Sequence, residues 1–506
     1  LIPGGVSVLD DTDSDIQVPN DINSFLWGQY VVPTEGGVWQ KSSWQNIRNI
    51  NYFMTHYQSV QAAEADVNIY VAEMRFFRAL EYFNKIQLLG DVPWLEVDLN
   101  VDSEELYGPK MKRNQVFQKI IEDLDFAIQW LPEAGSEEAN RLNKDIARHV
   151  KARFCLNEGT HYKYHDELEY ASEAEKWLQM AATESDKLIT SGRYEIYNTG
   201  HPQEDYFNMY RIDDKSDLKE AVLYVDYKTN IREHNMAAAG REAGCGFSKS
   251  FVESFLCSDG LPISLSNKYL GDETMRKETA NRDPRLKQLI LTNDFPTNVT
   301  DDLKDSTFVV NEDEFITQHC FTGYRPIKGF NPIYSQALYM KSSFDGIAYR
   351  YAETLLINAE AKAELNTITN ADLDRTVNQL RDRVGMPHLT VNVGFTDPKW
   401  PDWGYSLSPV LQEIRRERCI ELAGEGFRFN DLKRWKAGKL LNNVLTYVGK
   451  RKPDGNLAIV YPNYTNPDLS YQAGKSRTWE DKMYLYPIPT GELQRNPQLL
   501  PQNPGW

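Results

Sequence analysis

The residues best equipped for non-covalent chemistry are large aromatic side chains that fall outside the helical patterns. Trp94 follows the turn GDVP, and Trp400 and Trp403 lie in the loop PKWPDWGYS. On such loops a large ring either packs on the body of the protein or meets a ligand, and packing is the more common outcome for any one ring. The chain carries 28 Tyr and 11 Trp, which is common in proteins that stack on flat molecules.

Motifs for covalent or metal chemistry are weak. His161 and His165 have the i, i+4 spacing of a helical metal pair, but no third ligand is fixed. The glycine-rich stretch at 240–250 lacks the GK[ST] of a phosphate loop, and the sequence has no GxSxG motif. Cys155 lies among apolar neighbours, as an inert core thiol does. Carboxylates are so abundant that a pair at the separation used by glycosidases carries no information. We therefore predict no metal, no cofactor and no catalytic residue.

Composition narrows the class of protein. The 506 residues are 41% hydrophobic and 25% charged, as in an ordinary soluble globular chain. The net charge of −17 argues against a nucleic-acid surface. No apolar run approaches the ~18 residues of a membrane helix. The five cysteines have no CxxC spacing and predict neither a zinc motif nor a disulfide framework.

The stretch from Glu64 to Val97 organises the chain. Apolar residues such as Ala72, Phe76 and Phe83 recur there at helical spacing, which predicts an amphipathic helix that buries a broad stripe. Gly90 then predicts the C-terminal cap, because glycine adopts a left-handed conformation without steric cost.

Similar periodicity predicts further helices, separated by one long irregular region. The predicted helices lie at 39–57, 114–131, 143–157, 168–191, 349–365, 371–384, 408–422 and 430–441. Antiparallel pairs of this size resemble tetratricopeptide units. We predict one mainly α domain over 1–506, with an extended N-terminal arm (1–38), a helical scaffold (39–193 and 347–445), an irregular insertion (194–346) and a Pro-rich tail along the surface (446–506). Short strands are predicted within the insertion at 221–227 and 306–310.

Ordered motifs over nearly the whole chain carry a family resemblance. The stretch AEMRFFRALEYFNKIQLLGDVPW closely resembles the first signature of the SusD/RagB family, and RFCLNEGTHYKYH is similar to a segment found in one branch of it. YRYAETLLINAEAKAELN, VNQLRDRVGMP, RRERCIELAGEGFRFNDLKRWKAGK and YLYPIPTGELQRNPQL are similar to its later landmarks, in the same order. Region 194–346 matches least.

The resemblance implies a function and a location. It implies a lipoprotein on the outer leaflet of the outer membrane of Bacteroidetes, held by an N-terminal lipidated Cys. That Cys is not in this chain, so we expect a form without its anchor. It also implies capture of an oligosaccharide or polysaccharide and delivery to a SusC-like TonB-dependent transporter. Such a role needs no catalytic residue, and we expect no enzymatic activity.

The resemblance also indicates which segments form a shallow glycan surface. They are the N-terminal region, the loop after the second helix, the insertion and the loop before the last helices. In this sequence those segments offer Trp39, Asp66, Trp94, Tyr324, Phe330, Trp400 and Trp403. Taken alone, Asp66 is better explained as a carboxylate near the N-terminus of a helix, where it faces the positive end of the helix dipole. Trp44 is assigned to the core because it is in phase with Ile47 and Ile50. Arg381 and Arg383 could reach a ligand, but we expect them to form ion pairs within the protein.

Two other functions stay open at the level of sequence. One is a glycoside hydrolase on a helical scaffold, which product release from a polysaccharide would reveal. The other is a tetratricopeptide-like scaffold that binds a protein or peptide, for which an extended groove without exposed Trp would be typical.

Overall fold

The computed structural model describes residues 10–138, 140–242, 244–460 and 477–506, and it is mainly helical. Five long helices form the first part of the scaffold, and each packs on its neighbour in the chain. They are α1 (Gln45–His56), α2 (Glu64–Leu89), α3 (Arg113–Trp130), α4 (Lys144–Tyr164) and α5 (Ala174–Thr190). The predicted mainly α architecture of helical pairs is confirmed.

Helix α2 has the predicted stripe. Ala72, Phe76 and Phe83 are buried, and Phe83 stacks on Phe154 of α4 with ring centroids 3.6 Å apart. Gly90 caps the helix with φ of 74°, and its N–H donates to the carbonyl of Ile86. Aromatic rings thus link α2 and α4 within the first hydrophobic core.

The predicted irregular insertion consists of short elements around a hydrophobic core of its own. Its helices are α6 (Asp205–Asn208), α7 (Met236–Arg241), α8 (Lys249–Ser254), α9 (Met275–Thr279) and α10 (Arg285–Leu289). Its strands are β2 (Ala221–Val225), β3 (Cys245–Phe247), β4 (Pro296–Val299), β5 (Ser306–Phe308) and β6 (Gly346–Arg350). The antiparallel pairs β2–β6 and β4–β5 confirm strands near the two predicted runs.

The later helices complete the scaffold, and the first of them packs against α5 and α4. They are α11 (Tyr351–Glu364), α12 (Asn370–Asp374), α13 (Val377–Arg383), α14 (Pro409–Glu421), α15 (Arg428–Arg434) and α16 (Thr490–Arg495). The helix predicted at 371–384 is broken into α12 and α13, and the one predicted at 430–441 ends early and continues as a 3₁₀ turn at Gly438–Asn442.

A buried ion network joins the insertion to these helices. Glu421 of α14 accepts from Arg350 of β6 at 2.7 Å and from Arg383 of α13 at 2.6 Å. Arg285 of α10 reaches the same carboxylate at 3.0 Å. The three arginines hold the pKa of Glu421 below its usual range, although burial alone would raise it. Arg381 likewise pairs with Glu417 at 3.0 Å, so both Arg381 and Arg383 are engaged in ion pairs.

The N-terminal arm packs into the body more closely than its polar sequence indicates. Its strand β1 (Gln17–Pro19) pairs antiparallel with β3, and Asp15 forms a two-pronged ion pair with Arg428 at 2.7 and 2.8 Å. Trp27 of the arm packs with Tyr447 in a third hydrophobic core.

The prediction that the tail lies along the surface is wrong for much of its described part. Strands β7 (Val448–Arg451) and β8 (Leu457–Ile459) pair with each other, and Trp479, Met483 and Ile488 are buried. The apolar residues between the prolines supply this burial. Residues 461–476 of the predicted tail lie outside the described residues.

Candidate functional site

The first candidate site, here called the Trp400 cleft, is an open depression of about 550 Å³. Its walls come from the loop around Trp400 and Trp403, from α14, from α8 and from the N-terminal arm, which contributes Asp15 and Ile16. Segments distant in sequence therefore meet at one surface, as they do in ligand sites between packed units.

Two tryptophans form the aromatic part of this cleft, and α14 fixes both. The indole N–H of Trp400 donates to Glu413 Oε1 at 2.7 Å, and that of Trp403 donates to Gln412 Oε1 at 2.7 Å. Helix α14 starts at a capped N-terminus, where the Ser408 side chain accepts from the backbone N–H of Leu411. Consecutive residues of one rigid helix thus position both rings.

The two rings differ in how much of them is accessible. Trp400 is half-buried and presents ring surface to the cleft. Trp403 is 5% exposed and packs edge-to-face on Trp435 at 5.4 Å. Trp403 thus packs largely on the body, the more common outcome for a loop ring, because the third hydrophobic core covers most of it. It contributes only its accessible edge to the cleft wall.

Charged side chains around the tryptophans are held in ion pairs. Arg416 binds Asp397 at 2.6 Å and Glu413 at 3.2 Å, and Lys399 binds Glu253 at 3.0 Å. These pairs place guanidinium, ammonium and carboxylate groups around the aromatic surface in fixed positions, where they can hydrogen-bond a polar ligand.

Arg415 supports the cleft from below. Its guanidinium lies 4.7 Å from the ring centre of Trp403 and 4.3 Å from that of Trp435, and it pairs with Glu364 at 3.0 Å. Burial opposes its charge, but Glu364 outweighs burial and raises the pKa of Arg415. A permanent cation stacked on the indoles makes this floor rigid.

A second depression, here called the Trp39 cleft, holds about 620 Å³ between α1, the loop 93–107 and the C-terminal segment. Trp39 and Trp44 meet edge-to-face at 5.1 Å in its wall. The assignment of Trp44 to the core is only half correct, because the ring is half-buried and lines this cleft. Tyr107, 51% exposed, stands at the rim.

The structure places Asp66 and Trp94 outside both clefts. Asp66 is exposed in the first turn of α2, where its charge faces the positive end of the helix dipole. Trp94 is half-buried, with its ring 4.1 Å from that of Tyr82 and the Arg78 guanidinium 5.2 Å away. This matches the alternative in which a loop tryptophan packs on the body.

The expectation that Tyr324 and Phe330 lie on an exposed surface is wrong. Tyr324 is 0% exposed, and its hydroxyl donates to Glu278 at 2.8 Å beside Lys249. Phe330 is 3% exposed and packs against Phe295 in the core of the insertion. Both rings are buried because the insertion has a hydrophobic core of its own, which its loop-like sequence does not indicate.

Sequence reasoning missed the residues that position the tryptophans. Gln412 and Glu413 belong to the run LQEIRRER, whose charges are typical of a solvated helix face. Asp15 lies in the arm, and no local pattern connects it with Arg428 or with the cleft. The family landmark that contains RRER begins at Arg415, after both Gln412 and Glu413, so it did not indicate them.

The remaining sequence motifs, the histidine pair and Cys155, are buried within the protein. His161 and His165 stack with ring centres 4.1 Å apart, and His165 Nε2 lies 2.9 Å from the carbonyl of Lys433. Within the described ranges no group of three metal-ligating side chains comes together. Burial raises the pKa of the Cys155 thiol. No described helix has the length and apolar character needed to cross a membrane.

Fold and clefts together define a helical-pair protein with open, aromatic-walled depressions for a ligand. A model of the SusD family matches residues 189–506, more than half of the chain. The chain belongs to the SusD family.

Known proteins agree with this assignment. SusD-like protein P2 of Formosa agariphila is 25% identical over 456 residues, which cover 88% of this chain and 75% of that protein. A SusD-like protein of Bacteroides fragilis is 23% identical with a TM-score of 0.73, covering 99% of this chain and 93% of that one. A SusD-like carbohydrate-binding protein of the same species is 20% identical with a TM-score of 0.70, covering 98% and 93%. At these identities the solved structures establish the shared fold.

Proposed function

We propose that this protein is a non-catalytic glycan-binding protein of the cell surface, which captures an oligosaccharide or polysaccharide in the Trp400 cleft. The observation that carries the proposal is the fixing of Trp400 and Trp403 by Glu413 and Gln412 beside a rim of guanidinium and carboxylate groups. Trp39 and Asp66 stay predictions for further contacts with a long glycan.

Sugar chemistry explains why such a cleft suits a glycan. A sugar ring has a face of C–H groups and an edge of hydroxyls, so it binds where an aromatic face adjoins hydrogen-bonding groups. Because the indole nitrogen of Trp400 is already bonded to the protein, the accessible face of this ring is left for stacking. Rings that are fixed before the ligand arrives lose little conformational entropy on binding.

Relatives support a carbohydrate ligand. One similar structure is of a SusD-like carbohydrate-binding protein, and another, with a TM-score of 0.56 and 18% identity, is of a laminarin-binding SusD-like protein. The aromatic and polar groups of the Trp400 cleft fit the same class of ligand. The identity of the sugar and of its linkage is left open by this cleft.

Delivery is the second part of the proposal. As in the family that the sequence resembles, the captured glycan passes to a SusC-like TonB-dependent transporter, over which the protein sits at the outer face of the outer membrane. The support is the family membership together with the long helical pairs, which offer a rigid surface for docking. Copurification from Bacteroidetes membranes tests it: the tagged full-length lipoprotein should bring down a TonB-dependent transporter, and recovery of the lipoprotein alone would contradict delivery.

Calorimetry on a panel of polysaccharides tests glycan capture. We expect at least one neutral or acidic glycan to bind with a Kd in the micromolar to millimolar range, with no reducing sugar released from the same samples. Release of reducing ends would instead indicate a glycoside hydrolase. Failure of every glycan in a broad panel to bind would contradict the proposal.

A further inference from the structure

A third depression, here called the amide cleft, lies between the helical scaffold and the GEGF turn at 424–427. It holds about 280 Å³ and is lined by α2, α4, β6 and α15. Four of its lining residues carry amides: Asn84, Gln87, Asn157 and Asn430. None of these four side chains has a hydrogen-bond partner among the described residues.

Gln87 shows that these amides face open space within the protein. It is only 8% exposed, and its backbone carbonyl accepts from Lys433. Within the described residues its side-chain amide has no hydrogen-bond partner, yet its atoms are not among the buried polar atoms that are sealed from solvent. A buried amide without a partner costs free energy unless something in the cleft satisfies it. The amide therefore points into the cleft and is available to a ligand.

A small cavity of about 10 Å³ extends the cleft inward and shares Gln87, Asn157 and Asn430 with it. Lys433 and His161 line this inner end. A space of that size holds about one water molecule. It can take the oxygen of a ligand group that enters from the cleft.

Lys433 is the cation in this region that has no acidic partner among the described residues. The neighbouring cations are neutralised: Arg113 by Glu158 at 2.5 Å, Arg434 by Glu360, and Arg418 by Asp431 at 2.8 Å. Lys433 is 7% exposed, and the one acceptor of its ammonium among the described residues is the Gln87 carbonyl at 2.6 Å.

The pKa of Lys433 is consistent with a missing counter-charge. Burial, together with the charge of Arg113, lowers it to about 7. Burial also lowers the pKa of His161 well below its usual value, with the Arg113 charge acting in the same direction. The inner end of the cleft is thus a place where an anionic group would be stabilised, and no carboxylate of the described residues lines it.

We propose that the amide cleft binds a single sugar acid, with its hydroxyls on the four amides and its carboxylate at Lys433. Each amide offers donors and an acceptor, which is what hydroxyl groups need. The amide cleft has about half the volume of the Trp400 cleft, which suits a single sugar ring. This site shares no lining residue with the Trp400 cleft, and the inference does not rest on the proposed function.

Calorimetry with monosaccharides tests the inference on the full chain. Galacturonate and glucuronate are the probes, and galactose and glucose are their neutral counterparts. We expect at least one uronate to bind at least tenfold more tightly than its neutral counterpart, because a hydrogen bond to an ionised group is stronger than one between neutral groups. Equal affinity for acid and neutral sugar, or no binding of either uronate, would overturn the assignment.

Variants separate this site from the glycan cleft. Lys433→Met keeps the length of the side chain and should weaken uronate binding about tenfold or more. Lys436→Met, which removes a half-buried lysine paired with Glu167 in the same segment, is the matched control and should leave it unchanged. Unchanged binding in Lys433→Met would contradict the inference.

Asn430→Ala supplies an independent check if Lys433→Met folds poorly, because Asn430 is half-buried and its side chain has no protein partner to lose. It should also weaken uronate binding. The Trp400→Ala/Trp403→Ala double variant should bind the uronate as the parent protein does, even where it has lost the polysaccharide. Loss of both ligands in that double variant would show one shared site and overturn the inference.

Discussion

The indole N–H of Trp400 donates to Glu413 Oε1 across 2.7 Å, and the same carboxylate lies 3.2 Å from Arg416. One buried acid therefore fixes both an aromatic ring and a cation at the edge of the same cleft. Because these rings and charges are fixed before the glycan binds, little free energy is lost in ordering side chains. Glu413 is in this sense a positioning residue, since the ring and the guanidinium would meet the glycan.

Replacement of Glu413 tests that positioning role. Glu413→Leu removes the acceptor for Trp400 and should raise the Kd for the glycan by roughly threefold to tenfold, about one hydrogen bond in free energy. Glu413→Gln keeps an acceptor oxygen and should restore most of the affinity. Calorimetry beside thermal unfolding separates binding from stability. Equal affinities for the Leu and Gln variants would rule out positioning by hydrogen bonding.

Tyr324 should matter for stability and not for glycan binding. Tyr324→Phe removes the hydroxyl that donates to Glu278 in the buried cluster with Lys249, so we expect a loss of about 1–2 kcal/mol in the free energy of unfolding. Tyr334→Phe, at a tyrosine in the same insertion that is 50% exposed, is the control and should change little. Denaturant unfolding measures both. A weaker glycan affinity in Tyr324→Phe at unchanged stability would contradict the burial argument.

The sequence predicted local features well where one element decides the outcome. Helix α2 forms within the predicted stretch and ends at the predicted cap, Gly90, because its apolar period and its terminal glycine are local properties. The aromatic loop was recognised through Trp400, which is also a local feature of the sequence. The residue that fixes the Trp400 ring could not be recognised in the same way, because it belongs to α14.

Long-range packing explains what the sequence did not predict. Tyr324 and Phe330 lie in loop-like sequence, but apolar residues from several short elements close around them into a core. Asp15 is one carboxylate in an Asp-rich arm, and only the fold brings it to Arg428. The four amides of the amide cleft are spread over α2, α4 and α15, so no sequence pattern joins them.

Loss of Glu421 should destabilise the protein strongly. Glu421→Gln leaves Arg383 and Arg350 buried beside a neutral group, and removing one partner of a buried ion pair costs about 3–5 kcal/mol. Glu273→Gln is the control, because Glu273 is exposed and pairs with Lys277 one turn away, a contact worth about 0.5 kcal/mol. Denaturant unfolding compares the two. A loss in Glu421→Gln as small as in the control would contradict the importance of the network.

The same glutamate predicts a dependence of stability on pH. Its pKa is lower in the folded protein than its usual value of 4.5, so the unfolded chain binds the proton more readily. The stabilisation is complete above about pH 4.5 and is lost as the pH falls below it. Unfolding curves between pH 3 and 7 should show a smaller acid-side loss in Glu421→Gln than in the parent. Parallel losses would show that Glu421 is not responsible.

The ion pair between Asp15 and Arg428 should anchor the N-terminal arm. Asp15→Asn leaves the buried guanidinium of Arg428 without a counter-charge, and we expect the free energy of unfolding to fall by about 3 kcal/mol. Combining it with Arg428→Met removes the unpaired charge and should recover part of the stability. Denaturant unfolding of the single and double variants gives the coupling. Purely additive losses would show that the two residues act independently.

The most direct measurement of the central claim is a calorimetric titration of the best-binding glycan into the parent protein and into Trp400→Ala/Trp403→Ala. Removing the aromatic wall should raise the Kd about tenfold or more, since the stacked Trp400 ring contributes roughly 1 kcal/mol beyond its buried area and Trp403 supplies the adjoining edge. Trp130→Ala, at a half-buried tryptophan of α3 away from the clefts, should leave the Kd unchanged. An unaltered Kd in a folded double variant would contradict glycan capture in the Trp400 cleft.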